Sequence, residues 1–154
     1  ELDEFETDVL RRLTTELREV IGGRASEPDD PVAKRLFPAA YEDPADEAVY
    51  RDLVTDSLER EKLEALASVA AALPDGAGAV RLGPQELEPW LASLTDLRLA
   101  IGTRLDVDED VMSSPVDPQH PDASSLVVLH WLGYVQEGIL RTVDRAAAGP
   151  MGDA

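Results

Sequence analysis

The residues best spaced for chemistry lie between positions 106 and 117. Asp106, Asp108, Asp110 and Asp117 fall at positions one, three, five and twelve of an EF-hand calcium loop. Alternating carboxylates suit an ion that takes roughly six to eight oxygen ligands. The pattern departs from such a loop in three places. Val111 stands where the sharp turn needs glycine, Asp117 is shorter than the usual two-oxygen glutamate, and Pro115 interrupts the second half. The simpler reading is a solvated acidic loop, and no metal is expected.

Other sites of chemistry are weaker. His120 stands between Gln119 and Pro121, and His130 precedes Glu137 by seven residues, on one helical face. Two ligands do not complete a metal site, so structural or exposed roles are expected for both. The 32 acidic residues make close carboxylate pairs inevitable, whereas catalytic pairs need opposed pKa shifts in a pocket. Ser113 and Ser124 lack a nucleophile elbow. No phosphate loop or dinucleotide fingerprint occurs. The chain has no cysteine, which removes disulfides, thiol catalysis and thiolate metal sites. The expectation is a non-enzyme with no cofactor and no catalytic or metal residues.

The most individual stretch is Asp96-Leu97-Arg98-Leu99-Ala100-Ile101-Gly102. Leu97 and Ile101 share a face, with Arg98 and Gly102 on the next row. Gly102 inside a helix costs about 1 kcal/mol against alanine, which suits close helix approach. Arg98 has two readings: an ion pair anchoring a helix–helix contact, or a fork presented to a partner's carboxylate.

The elements that position these residues are helical. Leu2, Phe5, Val9, Leu13, Leu17 and Val20 recur at steps of three and four, predicting a helix from about 2 to 21 that Gly22-Gly23 ends. Asp30-Pro31 reads as a cap and first turn of a short helix to Leu36. Asp43-Pro44 opens a pattern lasting to about Leu73, as one helix or as two with a break near Ser57. Pro74-Asp75-Gly76 stops it. Ala79–Leu82 reads as a very short strand with no clear partner in the chain. Gly83-Pro84 starts a helix to about Leu105, its proper beginning near Glu88 because Pro89 disfavours a helix interior. Residues 106–121 read as a loop and about 123–147 as a last helix, apolar most of the way round. Such a helix is usually central or packs on a second subunit. The expected fold is all-α: an irregular bundle of four to five helices with at most one very short strand, as a single domain over 1–148 with a flexible tail over 149–154.

Size and charge narrow the function classes. A chain of 154 residues buries roughly 68–70% of its unfolded surface and holds a core without staples. Its formal charge of −18 opposes phosphate backbones, which are normally neutralised by Lys and Arg. The basic residues cluster no more densely than Arg11-Arg12 and Lys34-Arg35. Autonomous DNA binding and anionic-membrane binding are therefore not expected, and neutral or basic protein surfaces are. No apolar stretch reaches the roughly 18 residues of a membrane span, and a cytoplasmic location is expected.

The segment Arg35-Leu36-Phe37-Pro38-Ala39-Ala40-Tyr41, Trp90, the run Asp96 to Leu105, and Trp131-Leu132 together resemble an actinobacterial family catalogued as a domain of unknown function and also called AosR-like, after an oxidative-stress regulator. The likeness covers roughly Leu2 to Val143. It marks Trp90, Asp96, Arg98, Gly102 and Trp131 as family-motif and candidate interaction residues. Members carry a short extended segment before the first helix. With a first residue of Glu1 rather than Met, an upstream segment is expected, which would pair with a strand at Ala79–Leu82. The resemblance implies a cytoplasmic protein in the transcriptional response to oxidative stress, in contact with a sigma factor or RNA polymerase. Family genes also lie near a Clp-protease adaptor, which makes a proteolysis adaptor an alternative, beside a direct DNA-binding regulator. A homodimer through the last helix is a further expectation. Lacking cysteine, this chain cannot sense oxidants by disulfide formation.

Overall fold

A computed structural model describes residues 1–38, 44–50 and 54–149. Seven helices are placed among them: α1 (Glu4–Gly23), α2 (Pro31–Leu36), α3 (Pro44–Tyr50), α4 (Asp56–Ala72), α5 (Pro84–Leu105), α6 (Glu109–Ser113) and α7 (Ala123–Ala148). No strand forms among the described residues, so the fold is all-α as its patterning predicts. Four long helices carry it, with three short ones between them. The chain divides into two compact units, Glu1–Asp106 and Val107–Ala154. The boundary falls inside the stretch read from sequence as one domain.

In the first unit, α1 starts at Glu4 rather than Leu2 because Asp3 caps it. Asp3 Oδ1 accepts from the Glu6 N–H at 2.8 Å, and Glu6 Oε2 accepts from the Asp3 N–H at 2.9 Å, satisfying two helix-end donors reciprocally. Leu2 is left extended and forms a single antiparallel bridge to Gly78, with both N–H···O distances 2.9 Å. This corrects the expected strand. The extended pairing sits at Gly78 instead of Ala79–Leu82, and its partner is Leu2 of the same chain. The buried line of α1 also differs from the predicted stripe. Leu2, Val9 and Leu17 of that stripe are buried, but Thr7, Leu10, Thr14 and Ile21 are buried beside them, and Phe5 is 74% exposed. Two threonines hold core positions that a count of apolar residues passes over.

Below α1 the turn at 74–78 is tied in by side chains. Thr7 Oγ1 bonds the carbonyls of Asp3 and Gly76, and Arg11 Nη2 donates to the Pro74 carbonyl at 2.7 Å. A bond from a charged donor is worth more than a neutral one. Arg11→Ala should therefore lower stability by about 1.5–3 kcal/mol, measured by urea unfolding. A change below 0.5 kcal/mol on the same scale would show that the turn holds without it.

Asp30 caps α2 as the sequence predicts, its Oδ1 accepting from the Val32 and Ala33 N–H groups at 2.8 and 3.2 Å, with Pro31 in the first turn. The pattern from Pro44 is described as two helices. α3 runs to Tyr50 and α4 begins at Asp56, close to the break considered near Ser57. Residues 51–53, and the expected cap at Asp43, lie outside the described residues, as do 39–41 of the family-like segment. Arg24 joins the end of α1 to the start of α4, with Nε 2.6 Å from Glu59 and Nη2 3.3 Å from Asp56, its guanidinium 4.9 Å above the Phe37 ring. α4 packs against both α1 and α5, and α2 against α5. α5 begins at Pro84 rather than near Glu88, and Pro89 lies inside it. So early in the helix, a proline forfeits one backbone bond without ending the helix.

The expected loop over 106–121, which crosses from the first unit into the second, contains a helix. Asp106 ends α5 in the left-handed conformation with φ 51°. Asp108 then caps α6, accepting from the Val111 N–H at 3.0 Å. Two local bonds turn the chain into α7, from the Gln119 N–H to Asp117 Oδ1 at 2.9 Å and from the Asp122 N–H to His120 Nδ1 at 3.0 Å. On α7, Leu126, Leu129 and Leu132 are buried, and Val127, Tyr134 and Leu140 are exposed. Of the expected tail, 150–154 lie outside the described residues. Among the described residues, no helix is long and apolar enough to cross a membrane.

Candidate functional site

Four of the five motif residues share α5, so the candidate site is built from that helix. Trp90, Leu94 and Leu97, at steps of four and three, are buried in the first unit. Trp90 is only 1% exposed. Its Nε1 has no hydrogen-bond partner among the described residues, and neither have the buried Thr14 Oγ1 and Ser93 Oγ. An indole at such a position acts through packing rather than by presenting its N–H.

Asp96 faces α4. Lys62 Nζ lies 3.0 Å from its Oδ1 and 2.8 Å from its Oδ2. The two side chains are only 11% and 17% exposed for Asp96 and Lys62. At the far end of α5, Arg104 Nη2 reaches Asp30 Oδ2 at 2.8 Å. One helix thus carries an ionic tie to α4 and another to the cap of α2. Asp96 and Arg104 each tie α5 to a neighbouring helix by an ion pair. Arg98 and Gly102 are themselves half-buried on α5. Trp131 is half-buried on α7 in the other unit.

Asp30 combines three duties in one carboxylate. Partial burial pushes its pKa up, but the Arg104 hydrogen bond, the Ala33 and Val32 N–H groups and the Arg104 charge outweigh that and hold it below the ordinary carboxylate value. A carboxyl with a lower pKa in the folded state stabilises the fold above its unfolded value, near 3.9, and that stabilisation is lost as pH falls through the folded value. Asp30→Ala should cost about 1–2 kcal/mol at neutral pH through the lost cap. Asp30→Asn should keep the cap but flatten part of the stability decline below about pH 4. Unfolding curves from pH 6 downward read both effects on the scale of these pKa values. Identical acid profiles for Asp30→Asn and the parent chain would contradict the role of the charge.

The acidic segment is not wound as an EF-hand. Asp106 terminates one helix, Asp108 caps the next, and Asp110 lies within α6. Among the described residues, no group of three or more histidine, aspartate and glutamate side chains is placed to hold a metal ion. The second unit does have a cleft of about 260 Å³, whose lining includes Val111, Pro115, Val116 and Leu126 together with Asp110, Asp117 and His120. His120 is exposed. His130 is half-buried, and its Nε2 is buried without a partner among the described residues.

Residues missed by sequence reasoning are chiefly the partners. Lys62 is one of two lysines in the chain, a rarity that could have drawn attention to it. Its spacing of 34 residues from Asp96 carries no periodic signal.

Comparison with known proteins gives this arrangement a family context. A family model described as a domain of unknown function (DUF2017) matches residues 1–143. The oxidative stress regulator AosR of Mycobacterium tuberculosis is 30% identical over 144 residues, covering 79% of this chain and 63% of the relative. The protein of the same name from Mycobacterium bovis matches to the same extent. The chain thus spans 63% of the length of these curated relatives. No solved structure matches it.

Proposed function

The chain belongs to the DUF2017 family, and from that premise we propose that it is a non-enzymatic, cytoplasmic regulatory protein of the oxidative-stress response, acting on transcription through contact with a sigma factor or RNA polymerase. The regulatory part of this reading is supported by the name that its curated relatives carry. The protein-contact part rests on charge. The chain carries −18 formal charges, and many of its cations are already engaged. Arg24, Lys34, Lys62, Arg104 and Arg141 each lie within 4 Å of a carboxylate of the same chain. Cations tied in this way are poorly disposed to displace counterions from a phosphate backbone. With no cysteine, these residues cannot respond to oxidants by forming a disulfide.

Titration of a labelled DNA duplex with the purified chain, followed by anisotropy, tests the charge argument. No saturable binding is expected up to about 100 µM, the weak end of the range of non-specific DNA binding at physiological salt. Binding at about 1 µM with a steep salt dependence would favour a direct DNA-binding regulator instead.

A further inference from the structure

α7 turns a second apolar stripe away from its buried side. Val127, Trp131, Tyr134 and Gly138 follow one another at steps of four, three and four, the repeat of a helix that pairs with another helix. They lie opposite Leu126, Leu129 and Leu132, which are buried. Val127 is 54% and Tyr134 67% exposed, and Trp131 is half-buried. Among the described residues, nothing lies within 4 Å of where a Cβ at Gly138 would stand. The helix therefore carries a residue about 1 kcal/mol worse than alanine whose space the described residues leave open. Charge singles out the same helix. α7 sets Glu137 and Asp144 against Arg141 and Arg145 and is net neutral, whereas α1, α4 and α5 each carry an acidic excess. In a chain of −18, a net-neutral helix adds no repulsion of its own to a contact between copies.

We propose that a second copy of this chain covers the stripe, with the two α7 helices antiparallel. Setting Trp131 opposite Tyr134 of the second copy places Val127 over the open space at Gly138. It also brings Arg141 and Arg145 toward the other copy's N-terminal approach to α7, where Asp117 and Asp122 are exposed. A parallel pairing would set Arg141 against Arg141 and Arg145 against Arg145. Arg141 is already beside the stripe, its guanidinium 5.9 Å from the Tyr134 ring centre. This inference is independent of the transcriptional reading.

Sedimentation equilibrium of the 154-residue chain tests it, the 16.7 kDa protomer moving to twice that mass within about 1–500 µM. Tyr134→Lys and Val127→Asp should each raise the dissociation constant at least about 30-fold, the scale of an interface hot spot. Both side chains are exposed, so circular dichroism and melting of the dilute protein should not change. The absence of cysteine allows a test of direction: an oxidised mixture of V127C and G138C chains should give chiefly the mixed V127C–G138C disulfide. A monomer throughout the concentration range overturns the proposal. So does a dimer indifferent to Tyr134→Lys, or one in which V127C chains cross-link chiefly to each other.

Discussion

Asp96→Leu should lower the unfolding free energy by about 3 kcal/mol, and Lys62→Met by a similar amount. Each leaves one charge largely withdrawn from water between α4 and α5 with its partner gone, since the two side chains are 11% and 17% exposed. The attraction of the intact pair is offset by the desolvation of both ions. Removing one member therefore costs much more than removing both. The double variant Lys62→Met with Asp96→Leu should recover most of the loss by replacing the pair with apolar contact. Urea unfolding of the four proteins closes the cycle; with about 3 kcal/mol lost in each single variant and less than that in the double, a coupling energy above about 3 kcal/mol is expected. A double variant as unstable as the sum of its single variants would show that the two residues act separately.

Trp90→Ala should be at least as damaging, at about 3–5 kcal/mol, because it empties the volume of an indole that is 1% exposed. In a chain of this size each kcal/mol moves the melting temperature by roughly 2–4 °C, so a fall near 10 °C or more is expected. Trp90→Phe separates packing from hydrogen bonding. It forfeits some volume but also removes a buried N–H that has no partner among the described residues. An unmet buried donor itself costs about 1–3 kcal/mol, so the net loss should stay below about 1.5 kcal/mol. Its capture of partners should be unchanged. A folded Trp90→Phe protein that loses its partner would instead give the indole a direct role in recognition.

The legible parts of the fold were those written in local chemistry. Asp30-Pro31 announced α2, Pro74 the end of α4, Gly83-Pro84 the start of α5, and the apolar spacing of 126–143 the last helix. What escaped was either too short or too distant. α6 has five residues and depends on one cap from Asp108, so it was submerged in an acidic, proline-containing stretch. Thr7 and Thr14 are buried but polar, so a pattern of apolar residues does not place them in the core. The Leu2–Gly78 bridge joins residues far apart in sequence, and an extended residue before a helix has no periodicity to reveal it. The motif on α5 was visible, but its work was not. Nothing in the spacing of Asp96 and Arg104 told which acid or base across the unit each would meet.

The central claim is that the protein reaches transcription through a protein surface and not through DNA. The most direct test is to capture the tagged protein, with all sequence native to it, from nuclease-treated lysate of its host and identify what co-purifies by mass spectrometry. Recovery of a sigma factor or RNA polymerase subunits despite nuclease is the predicted result. Recovery that disappears with nuclease, or of Clp-protease components alone, would contradict it.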